Sequence, residues 1–600
     1  MILQRLAEHY DRLVIDPDTA RTLAKPGYSL QKASFCVVLR PNGTLQHFAS
    51  LLDPGAERPI PRQLLVPGQS KPSGQGINPC FLWDNAAYLL GFKPDDPNPE
   101  RTRDSFEKFR QEHLAVEKEI DSPAFSAVCV FLRSWSPERA ADHTADLAGI
   151  TGNFGVFRIT NEQRFVHEDP AVVAFWARHE SGDASAPCGI CLVTGQPAPI
   201  ARLHEPKVKG VRGAQSSGAL LVSFNDEAYE SFGKEQSFNA PVGMDAAFKY
   251  TNALNHLLAR NDRRVLLGDM TVIFWTERPT ALEEVMSDLL AGGPRVADDA
   301  LDAPAEDRQR AEQVRVLLSQ LREGHAGDEA FDPENRTPFY ILGLSPNASR
   351  ISVRFWVEST VGEMKARLAQ HMSDMELVGT RDEDASLSVR RVVIATGRAE
   401  TDDRGRLKSY DTNAISPLLA GAISRAVLTG GPYPQMLLGT MLSRVRADGV
   451  INHVRVAAIK ACIVRNSRLQ GKPKEVSVAL DVNRTDPAYL TGRLFALLEK
   501  IQADSTNGDL NATIKDRYFS AASSTPAVVF PRLLRLSQHH LAKMDTGQKI
   551  YYEKQLGEVV NKLNGFAHHL NLEQQGLFAV GYFHQRQDLF TSRKKEGDTE

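Results

Sequence analysis

The stretch ATGRAETDDRGRLKSYD (395–411) is polar and charged along its length and interrupts the apolar periodicity, so it reads as a boundary between two kinds of sequence. Downstream, SPLLAGAISRAVL, PQMLLGTMLSRVRA, HVRVAAIKACIVRNSRL and AYLTGRLFALLEKIQ each place apolar residues at helical spacing. Amphipathic stretches continue from 527 to 583. Residues 401–600 are therefore predicted to form a helical bundle, with a frayed end at SRKKEGDTE.

Upstream the period changes. Ile2, Leu3, Leu6, Tyr10, Leu13 and Val14 lie on one face of an opening helix. SFCVVL, Pro41-Asn42-Gly43 and TLQHFASLL read as a hairpin, because Asn-Gly supplies the positive φ angles of a tight turn. GVFRI and QRFVH (155–167) read as a second hairpin. β-Branched and aromatic residues predict strands at 219–224, 270–276 and 351–357, and periodicity predicts helices at 101–119, 244–259 and around 307–322. Residues 53–79, rich in Pro, Gly and Ser, read as a long exposed loop. Residues 1–400 are thus a mixed α/β region, and the whole chain is expected to be α+β.

With 42% hydrophobic and 24% charged residues over 600 positions, the composition excludes a collagenous, coiled-coil or largely disordered chain. No apolar run reaches 18 residues, and Arg5, Glu8, Asp11 and Arg12 interrupt the start, so neither a membrane span nor an export signal is expected. Six scattered cysteines fit a reducing cytoplasm. The net charge of −3 hides an asymmetry: residues 404–600 hold 27 basic and 17 acidic groups, whereas 281–336 hold 6 and 14. Such a split fits one surface turned toward a polyanion, and equally fits solvated faces of unequal sign.

Catalytic patterns are missing. There is no GxxxxGK[ST] loop, no HExxH and no GxSxG, and GVRGAQSSG fails the dinucleotide spacing. Cys188 and Cys191 form a CxxC pair, half of a weak zinc site, with His204 as a conceivable third ligand. His539-His540 and His568-His569 read as helix-face or boundary residues. No cofactor is expected. The alternative class is a metal-dependent nucleic-acid enzyme with scattered ligands, drawing carboxylates from 281–336.

Three polar clusters suit nucleic acid. VPGQSKPSGQGINP (66–79) combines flexible glycines with Lys71, Ser73, Gln75 and Asn78 and carries no acid, which matches base-edge and phosphate acceptors. A second cluster runs through Arg202, Lys207, Lys209 and Arg212 into Gln215, Ser216 and Ser217, with Lys234 and Asn239 further on beside aromatics. In the helical region Arg455, Lys460, Arg465, Arg468, Lys472 and Lys474 stand within 20 residues without an acid. Arg465 and Arg468 share a helix face, which Lys472 extends if Gly471 and Pro473 do not end the helix first. Each cluster also has a plain reading, as an ordinary surface loop or a solvated helix face.

CLVTGQPAPIARLH (191–204), KGVRGAQSSGALLVSFNDEAYESFGKEQSFNAPVG (209–243), GDMTVIFWTE (268–277) and PFYILGLSPNASRISVRFW (338–356) resemble the Csd1 family, the large subunit of the type I-C CRISPR surveillance complex, Cascade. INPCFLWDNAAYLLG (77–91) and the opening MILQRLAEHYDRL fit as well. The resemblance implies a non-enzymatic recognition subunit. It would join a crRNA-bearing complex with backbone, crRNA-processing and small subunits, and read a short PAM in double-stranded target DNA. It would also assist duplex opening, steady the R-loop and present a platform to a helicase-nuclease, with no membrane partner. Carried onto these residues, Lys71, Ser73, Gln75 and Asn78 become the expected PAM contacts, and the 207–239 cluster the expected contact to duplex backbone or crRNA. The helical end resembles the small subunit of such complexes, with Arg465, Arg468 and Lys472 expected on the displaced strand.

Overall fold

A computed structural model describes the chain apart from residues 21–22, 54–59, 69–70, 72–75, 94–95, 148–153, 181–186, 268–269, 279, 281, 284–285, 287–334, 379–387, 403–406, 412–414, 507–512 and 591–600. The helix expected around 307–322, and nearly all of the acidic segment, lie outside the described residues. The protein is α+β, as its periodicities predict, and falls into two compact units.

The first unit comprises Met1–Gly210, Ala214–Ala259 and Asn347–Ile351. It contains α1 (Ile2–Ile15), β1 (Tyr28–Leu39), β2 (Leu45–Ser50), β3 (Leu52–Asp53), β4 (Ile60–Pro67), β5 (Trp83–Asp84), α2 (Ala86–Leu90), α3 (Pro99–Ala115) and α4 (Pro123–Ser134). β6 (Phe154–Ile159), α5 (Pro170–Glu180), β7 (Cys188–Ile190), β8 (Pro197–Pro199) and α6 (Met244–Ala259) follow. β1 organises the main sheet, whose order is β3-β4-β1-β6-β5. Its first half pairs antiparallel with β4, its second half antiparallel with β2, and its other edge parallel with β6. Residues 33–39 are buried on both faces, which is why FCVVL (35–39) is continuously apolar rather than alternating. Phe35, Val37 and Leu39 pack on Phe109, Phe125 and Phe131, while Cys36 and Val38 pack on Leu64, Val66 and Trp83. The hairpin turn is present at Pro41-Asn42-Gly43, closed by Arg40 N donating to Thr44 O at 2.9 Å, but of the Asn-Gly pair only Gly43 takes a positive φ (+81°), where a Cβ would strike Val130; Asn42 Oδ1 accepts from Thr44 N at 3.1 Å.

Three expectations are corrected. Residues 53–79 are not one loop, because Leu64 and Val66 enter the core and draw 60–67 into β4, where prolines stand only at the strand's margins. Residues 219–224 form no strand; Ala219 and Leu220 make isolated bridges to Val208 and Arg350, and the rest is half-buried without a strand partner. In 155–167 only one bridge, Arg158↔Phe165, closes a hairpin, since β6 is taken up by β1 and β5.

The second unit comprises Val211–Gly213, Arg260–Pro346 and Ser352–Glu600. Its sheet, in the order β12-β11-β10-β9, is made of β9 (Arg264–Leu267), β10 (Met270–Thr276), β11 (Pro338–Asn347) and β12 (Arg350–Thr360). α7 (Val361–Met375), α8 (Val389–Ile394), the hairpin β13 (Arg398–Thr401)–β14 (Leu407–Asp411), α9 (Pro417–Thr429), α10 (Gln435–Asp448) and α11 (His453–Leu469) come next. α12 (Pro487–Ser505), α13 (Ile514–Ala522), α14 (Pro526–Leu541), α15 (Thr546–Val560) and α16 (Leu572–Phe590) complete it. The helices expected beyond residue 411 are all present. One core runs from Val272 and Phe274 through Leu368, Ile423 and Ile459 to Leu494 and Phe578, so it passes residue 400 without a break. These units therefore divide the chain differently from a cut at residue 400. Among the described residues no helix is long and apolar enough to cross a membrane.

Candidate nucleic-acid interface

The 66–79 loop leaves β4 and returns to β5 beside a cleft of about 350 Å³. Lys71, Asn78, Asn85, Lys93, Asn98 and Arg101 line it, with Asp96 the one acid on the wall among the described residues. Asn85 and Asn98 are engaged as N-caps of α2 and α3, accepting from Ala87 N and Arg101 N. Arg101 Nη2 donates to Gly76 O at 3.3 Å and holds the loop's outgoing end. Asn78 is exposed, so its amide is available to a ligand. Ser73 and Gln75 lie outside the described residues.

Lys71 has a role the sequence did not reveal. Its ammonium is ion-paired to the fully buried Asp84 and sits 3.2 Å from the centre of the Tyr88 ring. Asp84 also accepts from Cys80 N (3.0 Å) and Asn85 N (2.7 Å). Burial pushes the Asp84 carboxyl up, and Lys71 pulls it back. Lys71 is thus the anchor of the loop rather than a cation free for a base edge.

In the second cluster Lys209, Gln215, Ser216, Ser217 and Lys234 are exposed, and Lys207 is half-buried. The loop is rigid. Asn255 Oδ1 accepts from Lys209 N (2.7 Å), its Nδ2 donates to Lys207 O (3.1 Å), and Val208 bridges Ala219. Arg212, exposed, belongs to the second unit, where its N–H donates to Thr271 Oγ1 at 3.1 Å. Asn239 is not available for recognition: it accepts from Ser231 N and donates to Lys234 O and Gln236 O, stapling the turn at 231–236. At that turn Phe232 is 97% exposed with φ +53°, a conformation costing an L side chain roughly 1–2 kcal/mol. Sequence reading passed over Phe232, because an aromatic between polar residues gives no sign of pointing outward.

Cys188 is exposed and Cys191 buried. Burial pushes the Cys191 thiol up, but N–H groups of Gly243, Thr194 and Val193 directed at its sulfur outweigh this and leave it lowered. His204 is fully buried, its pKa pushed down to about 4 by burial, with Nδ1 2.7 Å from Tyr250 Oη. Among the described residues no group of three His, Cys, Asp or Glu could hold a metal, so the CxxC pair lacks a completed ligand set.

The expected displaced-strand stripe is corrected. Arg465 is 1% exposed, and its Nε donates to Asp374 at 2.6 Å. Arg468 places both terminal nitrogens 3.0 Å from the same carboxylate. Arg455 and Lys460 are buried too, the former on Asp448 and the carbonyls of Ala395, Gly397 and Val450. α11 ends at Leu469 and Gly471 turns with φ +73°, so the exposed Lys472 does not continue the stripe. VAAIKACIV is apolar on every side, and a helix of that kind is buried, its cations paired inside.

An exposed basic face lies instead on α14. Val528, Arg532, Arg535 and His539 follow at i, i+4, i+7 and i+11, with Lys543 just past the helix end, and all are exposed. Among the described residues the two arginines and Lys543 have no ion-pair partner, and Arg532 lies 5.5 Å over the Tyr518 ring. The signal was present in sequence: residues 526–544 contain no acid.

Fold and surface together define an α+β protein with pinned polar loops on one unit and, on the other, a basic helix face without ion-pair partners among the described residues. The family model described as CRISPR-associated protein (Cas_Csd1) matches residues 6–590, and the chain belongs to that family. No curated protein matches it.

Proposed function

We propose that the chain is the non-catalytic large subunit of a crRNA-guided, type I-C Cascade complex. In this reading it recognises the PAM in double-stranded target DNA, assists opening of the duplex and steadies the R-loop. It also offers a platform to a helicase-nuclease, beside backbone, crRNA-processing and small subunits in the cytoplasm. Family membership supports the setting. The observation that carries the recognition step is the cleft beside 66–79, where the exposed amide of Asn78 lies among Lys93 and Arg101 on a loop fixed at both ends. An amide supplies donor and acceptor to a base edge, and the cations hold phosphate.

The test is equilibrium binding of the assembled complex to duplexes with and without a PAM, at fixed salt. Asn78→Ala is expected to lose about tenfold of the PAM-dependent increment, within the range of one good base contact, and to leave PAM-free binding unchanged. Unaltered discrimination would remove Asn78 as reader. Lys71→Ala is the poorer probe, because it strips the buried Asp84 of its cation.

The α14 face is the corrected surface for the displaced strand. Arg532→Ala/Arg535→Ala should flatten the log K against log salt slope for single-stranded DNA by about 1.4 units, two contacts at ~0.7 each. Arg468→Ala should leave it unchanged. The reverse pattern would return the strand to α11.

A further inference from the structure

We propose that the cleft beside 66–79 is a pocket for one unpaired nucleotide, taking a keto base on its floor and a phosphate at its rim. The inference rests on the reading above and deepens it, because that reading uses the rim alone. Asn78, Lys93, Asn98 and Arg101 are exposed around the mouth, whereas Ala86, Tyr88, Thr102 and Ser105 are buried below them. A base pair keeps its edges at the bottom of a groove, so a side chain that reads it must protrude. Asn78 can do so. The floor recedes, and only a group that itself protrudes can reach it: a base that has left its stack, or a free nucleotide.

The hollow has the size and the walls for that ligand. At about 350 Å³ it lies at the low end of small-molecule sites, which run from about 300 to 1,000 Å³. Ala86 and Ala87 keep it open where larger side chains would fill it, and the half-buried Phe92 adds an apolar wall on which a base can rest. Tyr88 is less free, since the Lys71 ammonium already sits on its ring.

The polar groups select the base. Asn85 and Asn98 use their Oδ1 atoms as helix caps, accepting from Ala87 N and Arg101 N, which fixes each amide and leaves its Nδ2 without a hydrogen bond among the described residues. Lys93 has no ion-pair partner among the described residues, and Arg101 engages one terminal nitrogen on Gly76 O. Asp96 already accepts from Asn98 N at 3.0 Å and from the Thr102 side chain. Donors therefore outnumber acceptors. Such a lining pairs with carbonyl and phosphate oxygens, and it would leave an exocyclic amino group facing other donors, which costs affinity. Thymine and guanine carry a carbonyl where cytosine and adenine carry an amino group, and the Asn78 Oδ1 can take the ring N–H beside that carbonyl. Lys93 and Arg101, at the mouth, match the phosphate.

The nucleotide can come from a bound strand or from solution, and the experiment separates the two. At fixed salt the assembled complex is titrated with target duplexes that carry one abasic gap, placed opposite each nucleotide of the PAM and its neighbours in turn. In a second arm it is titrated with dTMP and with dCMP in a calorimeter. A strand-borne ligand predicts that one gap, opposite thymine or guanine, tightens binding at least about tenfold over the paired duplex, since the cost of unpairing is gone. Asn98→Asp keeps the cap but replaces the free donor with an anion, and should bring that ratio below about twofold. Ala87→Leu, which fills the floor, should do the same. A ligand from solution predicts no favoured gap and dTMP bound at least about tenfold more tightly than dCMP, a preference that both substitutions abolish. No favoured gap together with equal binding of dTMP and dCMP overturns the pocket. So does a favoured gap or a dTMP preference that survives both substitutions. Fully paired duplexes with and without a PAM test the recognition reading separately: if wild type does not distinguish them that reading fails, whereas discrimination without either pattern removes the pocket alone.

Discussion

Asp374→Ala is expected to destabilise the second unit by about 3–5 kcal/mol, the usual cost of leaving a buried charge unpaired. Asp374 is 1% exposed at its side chain and joins α7 to α11 by taking Arg465 and Arg468 together. Its removal strands Arg465, whose other contacts are Ala426 O at 3.3 Å and the Tyr433 ring 4.4 Å away. It also removes one of the two carboxylates, Asp374 and Glu376, that pull the Lys460 ammonium up against the burial that pushes it down. Thermal unfolding of the full chain, followed with hydrogen exchange in α7 and α11, should show the unit's transition lowered by roughly 10 °C. Arg468→Ala is the internal control. That side chain is 37% exposed, and its loss should cost no more than about 1 kcal/mol. Equal effects from the two substitutions would mean that Asp374 is not the buried keystone of this joint.

The same carboxylate explains why the surface was harder to read than the fold. Element types follow from period and composition: MTVIFWT is buried along its whole length as β10, and PQMLLGTMLSRVRA becomes α10. Pairing partners are not local. PIPRQLLVP looks like loop until β1 presents an edge for Leu64 and Val66, and ALLVSF looks like strand although it makes only the isolated bridges of Ala219 to Val208 and Leu220 to Arg350. Cation clusters fare worst, because a run of Lys and Arg is silent about the acid outside the run, 7, 13 or 91 positions away in the three cases here, that neutralises it. Asp84 takes Lys71, Asp374 takes Arg465, and Asp448 takes Arg455. What separates α14 from α11 is legible only when the intervening residues are weighed as well: the former keeps Arg532, Arg535 and His539 on one polar side, the latter has apolar residues on all sides.

The pinned loops share one device. Asp84 holds the 66–79 loop, Asn255 the 207–209 segment and Asn239 the Phe232 turn, each through backbone hydrogen bonds and, for Asp84, an ion pair. A recognition loop ordered before binding forfeits less entropy on contact than a mobile one. The residues that do the holding are as sensitive to substitution as those that touch a ligand.

Gly492→Ala and Gly581→Ala should each destabilise the second unit by about 2 kcal/mol or more, against the direction that helix propensity predicts. Alanine in place of a mid-helix glycine ordinarily gains roughly 1 kcal/mol. At Gly492, on α12, a methyl would collide with the carbonyl oxygen of Phe578 on α16, and at Gly581 with that of Tyr489 on α12. Both obstacles are backbone, so the helices must part and lose packing between Tyr489, Leu494, Phe578 and Tyr582, all buried. Overpacking of this kind costs about 1–3 kcal/mol and more where nothing flexible yields. Gly439 on α10 and Gly557 on α15 supply the comparison, since a Cβ there meets nothing within 4 Å. Alanine at those two positions should raise the melting temperature while alanine at 492 or 581 lowers it, in the same chain under the same conditions. Four upward shifts would show that propensity rather than the α12–α16 approach decides, and that the two helices stand further apart than their glycines imply.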